Sequence, residues 1–286
     1  MPTTPPALIA VPDTLDFGNP PAPPAPAGRR WQPQAAHWAA LSIASLLLLW
    51  WALTASGLIA PLFLPPPQAV LAKFGELLAG GYMDATLPQH LLASLQRMLL
   101  ALLAAVVVGI PLGIVIGVFP LARHLLDPVI EFYRPLPPLA YLPLIVIWFG
   151  IGEASKVLLI FLAILAPVLI ATAHGVASVS QLRRQAALSL GASRWQLLCH
   201  VILPGALPEI ITGVRIGLGA GWSTLVAAEL IAATRGLGFM IQSAAQFLVT
   251  DVVVLGIIVI ALVAFALELG LRRLQQRLTP WHGQHH

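Results

Sequence analysis

Long apolar segments dominate this sequence and limit what it can fold into. Six of them reach the length of about 20 residues that a helix needs to cross the hydrocarbon core of a bilayer. They lie at residues 38–60, 98–119, 128–149, 157–178, 209–232 and 251–271. Only 9% of the residues are charged, against about a quarter in soluble domains. The sequence therefore predicts an all-α integral membrane protein with six transmembrane helices.

The segments outside these spans differ in character. Residues 1–36 are rich in proline and cannot bury enough apolar surface to order the chain, so they are predicted to be a disordered tail. Residues 37–286 are predicted to form the membrane domain, with its core at 88–278. Residues 61–97 predict a loop with a short amphipathic helix at its centre. Thr86 and Gln89 fit a capping box at the start of the helix that leads into the second span.

The basic residues indicate the orientation of the chain. They are spread through short loops and form no patch, which argues against a nucleic-acid partner. If the N-terminus is cytoplasmic, the opposite side carries only Lys73, Arg97, Lys156 and Arg235. The cytoplasmic side then carries nine arginines: Arg29, Arg30, Arg123, Arg183, Arg184, Arg194, Arg272, Arg273 and Arg277. This asymmetry predicts that both termini are cytoplasmic.

Two spans carry a glycine at every fourth position, at 109, 113 and 117 and again at 213, 217 and 221. Such stripes allow another helix to approach closely. Packing within the chain is the ordinary explanation, and a dimer contact or a sliding gate is the alternative. The third span contains five prolines, at 128, 135, 137, 138 and 143, which a regular helix cannot accommodate. Irregular backbone at membrane depth is tolerated where protein covers it or where it lines a wet cavity.

The stretch "QAALSLGASRWQLLCHVILP" at residues 185–204 is too polar and too short to cross a membrane. Gly191 offers a flexible break, and Ser193 with Gln196 fits a capping box that starts a second short helix. Pro204 is predicted to end that helix. Apolar residues near helical spacing would give these two helices one apolar face, namely Leu188, Trp195, Leu198 and Ile202. The residues alone leave two partners open for this face, which are lipid headgroups and a soluble protein.

The spacing in this stretch resembles the cytoplasmic loop motif of ABC-importer permeases. That motif reads Glu-Ala-Ala, three residues, Gly, nine residues, Ile, one residue, Leu-Pro. This chain has Gln185 in place of the acidic residue and Val201 in place of isoleucine. The other motif positions match. The resemblance implies a coupling loop at 179–208 that fits into a cleft of the ATP-binding subunit. The residues assigned to this loop are Gln185, Ala186, Ala187, Leu188, Gly191, Ala192, Ser193, Trp195, Leu203 and Pro204.

Further stretches are similar to the taurine, aliphatic sulfonate and nitrate branch of these permeases. They include "FYRPLPPLAYLPLIVIWFGIGEASK", and the terminal "LTPWHG" resembles the taurine permeases in particular. The resemblance implies the membrane subunit of an importer for taurine or a related alkanesulfonate in a bacterial inner membrane. It also implies a homodimer, two copies of an ATP-binding subunit and a periplasmic substrate-binding protein. No Walker A pattern occurs, so no cofactor is expected in this chain, and ATP and Mg²⁺ would bind the partner ATPase.

Charged residues within spans need a reason, because burying an ionisable group in a bilayer is costly. Glu131 and Arg134 could pair on one helix face, and Glu229 could reach Arg235. Arg215 could extend to the inner headgroups or face the pathway. The predicted lining of a translocation pathway is Tyr133, Arg134, Tyr141, Arg215, Trp222, Ser223 and Thr224.

Two other classes of protein fit the sequence less well. An intramembrane hydrolase could use Ser223 with His174 or His200, but "GWST" lacks the second glycine of a nucleophile elbow. A secondary transporter would usually show repeated halves, which this sequence does not show. The lone Cys199 is interpreted as structural.

Overall fold

A computed structural model describes residues 33–280 of the chain. The predicted disordered tail lies almost wholly outside these residues. The chain divides into two units, at residues 1–44 and 45–286, and the described part of the first unit is the beginning of helix α1. The described chain is helical apart from its connections, as the sequence predicts.

Of the six predicted spans, four are confirmed among the described residues, whereas the first and the third correspond to shorter apolar runs. Four helices are long and apolar enough to span a membrane, and two further apolar runs, at 40–55 and 138–149, are shorter. The first half of the chain forms α1 (Pro33–Ala55), α2 (Pro67–Ala79), α3 (Leu87–Val118), α4 (Pro120–Tyr133), a 3₁₀ turn (Pro138–Tyr141) and α5 (Leu142–Phe149). The second half forms α6 (Glu153–Ser178), α7 (Gln181–Ser189), α8 (Arg194–Leu197), a π-helical turn (Leu198–Ile202), α9 (Leu203–Ala232), α10 (Leu237–Gln246) and α11 (Thr250–Leu278).

The predicted third span at 128–149 is not one helix. It is divided between α4 and α5, with the break at residues 134–137. Pro135 and Pro137 fall in this break, because each proline lacks an N–H and crowds the preceding turn. Pro143, in contrast, lies in the first turn of α5, where its missing N–H has no intrahelical acceptor to lose.

The predictions for residues 61–97 are confirmed. The short amphipathic helix is α2, which buries Val70 and Leu77. At the start of α3 the Thr86 amide donates to Gln89 Oε1 at 2.9 Å, as the proposed capping box requires. The helix is longer than the predicted span because this cap begins it at Leu87 rather than near residue 98.

Helix α6 lies between the two glycine stripes, which explains both of them. A Cβ atom added to Gly113 would stand 2.5 Å from Thr172 Cβ, and one added to Gly217 would stand 2.9 Å from Ile164 Cγ2. Thr172 and Ile164 are both on α6. The stripes therefore allow α3 and α9 to pack closely on α6 within the same chain, as in the ordinary explanation. Buried side chains of all three helices, among them Met98, Ile164 and Leu218, form the core.

Candidate functional site

The 179–208 loop follows α6 and contains two short helices, α7 and α8, which a tight turn at Gly191 joins. Gly191 has a φ of +83°, and it ends α7 in a complete Schellman motif. The Gly191 amide donates to Leu188 O at 2.9 Å, and the Ala192 amide donates to Ala187 O at 3.1 Å. The position that was predicted to be flexible is thus fixed by two hydrogen bonds. Glycine is favoured there because a side chain disfavours this left-handed conformation.

The second helix of the loop begins at the predicted capping box. The Gln196 amide donates to Ser193 Oγ at 3.2 Å, and the Ser193 amide donates to Gln196 Oε1 at 2.8 Å. Pro204 does not end this helix, contrary to the prediction. A π-helical turn joins α8 to α9, so that the helical path is continuous from Arg194 to Ile231. In this turn the Leu203 amide donates five residues back, to Leu198 O, so that Pro204 falls where the register changes and its missing N–H is tolerated.

Several large apolar side chains of the loop are exposed. Trp195 is 71% exposed and Leu190 is 89% exposed, while Leu182 and Leu188 are also exposed. Gln185 and Ala186 are exposed on α7, whereas Ile202 is buried in a small core with Val176. Large apolar side chains of this kind, on a polar segment beyond the spans, are typical of contact surfaces.

Arg184 ties the loop to the end of α6. Its guanidinium donates through Nη2 to the carbonyl oxygen of Val176. Because a guanidinium is planar and always charged, it satisfies a carbonyl that the end of the helix leaves free. The loop is therefore held at two places, through Arg184 on the side of α6 and through the continuous helix on the side of α9.

Three of the predicted pathway residues meet at the break in the third apolar segment. Tyr133 donates to the carbonyl oxygen of Leu162 on α6 at 2.8 Å, and the hydroxyl groups of Tyr133 and Tyr141 lie 3.0 Å apart. The two rings stack with 6.2 Å between their centroids. Arg134 joins them in lining a cavity of about 430 Å³, whose opposite wall includes Pro167 of α6.

The other four predicted pathway residues lie apart from this cavity. Arg215 pairs with α11 instead, donating from Nε to Glu268 Oε1 at 2.9 Å and from Nη1 to Gln275 Oε1 at 3.0 Å. Trp222 is buried in the core of α3, α6 and α9. The hydroxyls of Ser223 and Thr224 face their own helix, with Thr224 Oγ1 donating to Ala220 O at 2.9 Å.

Neither of the two predicted ion pairs is formed within residues 33–280. Glu131 and Arg134 make no salt bridge to each other, and both side chains border a second cavity beside α6. Glu229 pairs with Arg97 rather than with Arg235, at 2.6 Å from Arg97 Nη1 to Glu229 Oε1. Arg235 contributes only its carbonyl oxygen, which accepts from Arg97 Nη1 at 2.7 Å.

The pair of Arg97 and Glu229 belongs to a buried network that the sequence interpretation missed. Glu229 is completely buried, and it also accepts from Ser94 Oγ at 2.8 Å and from the Gly238 amide at 2.8 Å. Arg97 also reaches Glu153 Oε2 at 2.6 Å. The network joins α3, α6, α9 and α10 at the end of the bundle opposite the 179–208 loop. Arg97, Glu153 and Glu229 are ionisable residues in otherwise apolar helices, and that pattern could have indicated a buried ion pair.

The arrangement required by a serine hydrolase is not found among the described residues. The Ser223 hydroxyl faces Gly219 O, while His200 Nδ1 lies 3.2 Å from Gln196 O in the loop. His174 borders the two cavities beside α6 and makes no hydrogen bond to Ser223 in this part of the chain. A nucleophile and its base must lie within hydrogen-bond reach of each other, and these residues do not.

These features define a membrane-embedded helical protein whose 179–208 loop carries exposed apolar side chains. The family model for "Binding-protein-dependent transport system inner membrane component" matches residues 109–280, and the chain belongs to that family. It is thus an ABC-importer permease subunit of the inner membrane and not an enzyme. Transporters of this family work with an ATPase and a substrate-binding protein.

Curated relatives support this assignment over nearly the whole chain. The taurine transport system permease protein TauC of Escherichia coli is 65% identical over 245 residues, which are 85% of this chain and 89% of that protein. The putative aliphatic sulfonates transport permease protein SsuC of E. coli is 38% identical, over 90% of this chain and 96% of that protein. Among solved structures, an inward-facing MetNI methionine ABC transporter matches with a TM-score of 0.59 at 17% identity, covering 66% of this chain and 94% of that one. The last similarity supports the fold alone.

Proposed function

We propose that this chain forms the membrane pathway of an ATP-driven importer for taurine or a closely related alkanesulfonate. The observation that carries the proposal is the 65% identity to a taurine permease over most of both chains. The next relative, at 38% identity, is named for aliphatic sulfonates, which keeps the expected substrate within the same chemical class. Nitrate and other small anions are the alternative substrates, because the sequence resembles a branch that includes nitrate permeases.

The proposed assembly contains two copies of this chain, two ATPase subunits and an external substrate-binding protein. ATP and Mg²⁺ would bind the ATPase, and this chain would hold no cofactor of its own. Both termini would be cytoplasmic, on the same side as the 179–208 loop. The excess of arginine in the segments assigned to that side supports this orientation.

The 179–208 loop is the proposed contact with the ATPase. Its exposed apolar residues, Leu188, Leu190 and Trp195, suit a cleft on a soluble protein. Because the Schellman turn and the capping box fix its shape, the loop can transmit a displacement rather than absorb it. The displacement would reach α9 through the π-helical turn and α6 through Arg184, and the helices would then rock around the cavity at Tyr133.

The pathway itself is proposed to run past Tyr133, Arg134 and Tyr141. The Arg134 guanidinium offers hydrogen-bond donors to a sulfonate, which has only acceptors at that end. The Tyr133 and Tyr141 hydroxyls border the same cavity, but the Tyr133 proton is already donated to Leu162 O. Arg215, Trp222, Ser223 and Thr224 stay candidates that act through helix packing or through the second copy. A pathway must bind its solute weakly enough for release, so that selection would rest mainly with the external binding protein.

Reconstituted uptake tests this proposal. The chain is co-expressed with its candidate ATPase and binding protein, and ATP-dependent taurine uptake is measured in proteoliposomes, with nitrate and ethanesulfonate as competitors. Taurine uptake that requires ATP supports the proposal. Uptake that persists without the ATPase, or a preference for nitrate, contradicts it.

A matched pair of variants tests the role of the loop. Gly191→Pro removes the amide that bonds Leu188 and forbids a φ of +83°, so that we expect uptake and ATPase co-purification to be lost while membrane insertion remains. Gly57 has a similar φ of +71°, in open space after α1. Gly57→Pro therefore carries the same backbone conflict outside the loop and should keep the ATPase bound. If Gly191→Pro still transports taurine, the loop is not the contact.

A further inference from the structure

Helix α4 is divided into a charged face and an apolar face. Leu121, Leu125, Val129 and Phe132 are each at least 60% exposed on one side. The charged residues of the helix and of the residue after it border a cavity of about 240 Å³, closed on the other side by the ends of α3 and α6. These charged residues are Arg123, Asp127, Glu131 and Arg134.

The charges in this second cavity are of two kinds. Arg123 and Asp127 neutralise each other, with Arg123 Nε 3.3 Å from Asp127 Oδ2. Glu131, Arg134 and His174 have no side-chain hydrogen bond or ion pair to any residue in the range 33–280, although all three line the cavity. Ionisable groups within a membrane protein are costly unless they face water, a partner or a ligand. One acid and two bases are therefore left to interact with whatever fills the cavity.

The second cavity continues the first one along α6. Arg134, Ile170 and His174 border both cavities. Leu162, which accepts the hydrogen bond from Tyr133, lies twelve residues before His174 on α6, or about 18 Å at 1.5 Å per residue. The two cavities therefore form a sequence that leads from the middle of α6 toward the 179–208 loop.

We infer that the second cavity is a binding site for a small zwitterion, in which Glu131 receives the cationic end and Arg134 with His174 receives the anionic end. The inference rests on the proposed function, and it names the chemistry of the part of the pathway that lies nearer the 179–208 loop. A cavity of about 240 Å³ is below the range of roughly 300–1,000 Å³ that is usual for drug-sized ligands, and it suits a solute of a few heavy atoms. Glu131 would then distinguish taurine from sulfonates that lack an ammonium group.

The exposure of these side chains agrees with a transit site rather than a tight one. Glu131, Arg134 and His174 are all exposed at the wall of the cavity, where water weakens each contact. A solute held between one acid and one base can be released as soon as either contact opens. Asp127 takes no direct part, because Arg123 already neutralises it.

Cysteine protection tests the site without depending on the external binding protein. The purified complex with its ATPase carries Cys199→Ser, which removes the single native cysteine of this chain, and Ala173→Cys, which places a thiol on the wall of the cavity. A charged methanethiosulfonate reagent modifies Cys at this position, and mass spectrometry follows the rate. Taurine, ethanesulfonate and ethylamine are compared as protectants, since the last two each carry one end of taurine.

We expect taurine to slow modification in proportion to 1 + [taurine]/Kd, and each half-molecule to protect less. Adding Glu131→Gln should weaken protection by taurine about tenfold or more, because hydrogen bonds to charged groups contribute about 1.5–3 kcal/mol. Protection by ethanesulfonate should stay unchanged. Glu76→Gln is the matched control, since Glu76 pairs with Lys73 on α2 outside both cavities.

Two results would overturn the inference. The first is no protection by taurine, and the second is equal protection by taurine and ethanesulfonate with Glu131 intact. Both results are measured with Glu131 intact, so neither depends on the folding of the Glu131→Gln variant. Taurine uptake by the native chain is measured separately, so that a failure of the proposed function is seen in the uptake assay and a failure of the site is seen in the protection assay.

Discussion

Replacing Glu229 with glutamine is expected to destabilise the bundle severely, although the two side chains have the same shape. Glu229 is completely buried, and both of its oxygens accept hydrogen bonds. Oε1 accepts from Arg97 Nη1 at 2.6 Å, and Oε2 accepts from the Gly238 amide at 2.8 Å. A glutamine can place its single oxygen on one side only, so that its NH₂ group must face the other donor.

The size of the effect follows from what the substitution leaves behind. Arg97 is 5% exposed and would lose a buried charged partner. Removing one member of a buried ion pair costs about 3–5 kcal/mol. At about 2–4 °C per kcal/mol for a chain of this length, the apparent Tm should fall by roughly 6–20 °C. Glu153 remains within 2.6 Å of Arg97, which limits the loss to the lower half of that range.

Thermal unfolding of the purified protein in detergent measures this effect. Glu76→Gln is the control, because Glu76 is exposed in its pair with Lys73 and such pairs contribute at most about 1 kcal/mol. The double variant Arg97→Met/Glu229→Gln should recover part of the loss, since the unpaired charge is removed and Glu153 keeps Lys156 at 2.8 Å. If the measured Tm of Glu229→Gln lies within about 2 °C of that of Glu76→Gln, the network does not hold the helices together.

Two further predictions concern helix packing and the cavity. Gly113→Ala should destabilise the protein by about 1–3 kcal/mol in thermal unfolding, because its Cβ would stand 2.8 Å from Leu169 O. Gly219→Ala is the control, since it has open space and should not lower the Tm. Equal Tm values for both variants would contradict close packing of α3 on α6. Tyr133→Phe should lower the free energy of unfolding by about 1 kcal/mol, because the hydrogen bond to Leu162 O is lost. It should also reduce taurine uptake in proteoliposomes more than it reduces ATP hydrolysis. An unchanged uptake rate would show that this hydroxyl is not part of the pathway.

Features set by neighbouring residues were predictable from the sequence. The capping boxes at Thr86 and Ser193 form as their three-residue spacing requires. The break in the third apolar segment follows from its prolines, which no long helix accommodates. The outcome at Pro204 was not predictable in the same way, because a proline usually ends a helix and only a change to five-residue hydrogen bonding allows the helix to continue.

Features set by distant residues were harder to predict. Arg97 and Glu229 are 132 residues apart, and no local spacing relates them. Arg215 likewise finds Glu268 on α11, although the sequence offered only headgroups or the pathway as partners. In each case a charge in an apolar helix was a reliable sign of a partner. The identity of the partner depends on which helices pack together, and that information lies in the tertiary structure.

The distribution of charge along the bundle suggests how one chain can be both rigid and mobile. At the end near α10, Arg97 and Glu229 are buried and fully bonded, so that separating those helices would leave charges without partners. At the other end, Glu131 and Arg134 are exposed and unpaired within the described chain, so that the space between α4 and α6 can change at little cost. If the proposed ATPase contact displaces Trp195, the displacement acts on helices whose charges are paired far from the loop and unpaired at the second cavity. We expect such a bundle to open at the loop end first, where the proposed zwitterion site lies.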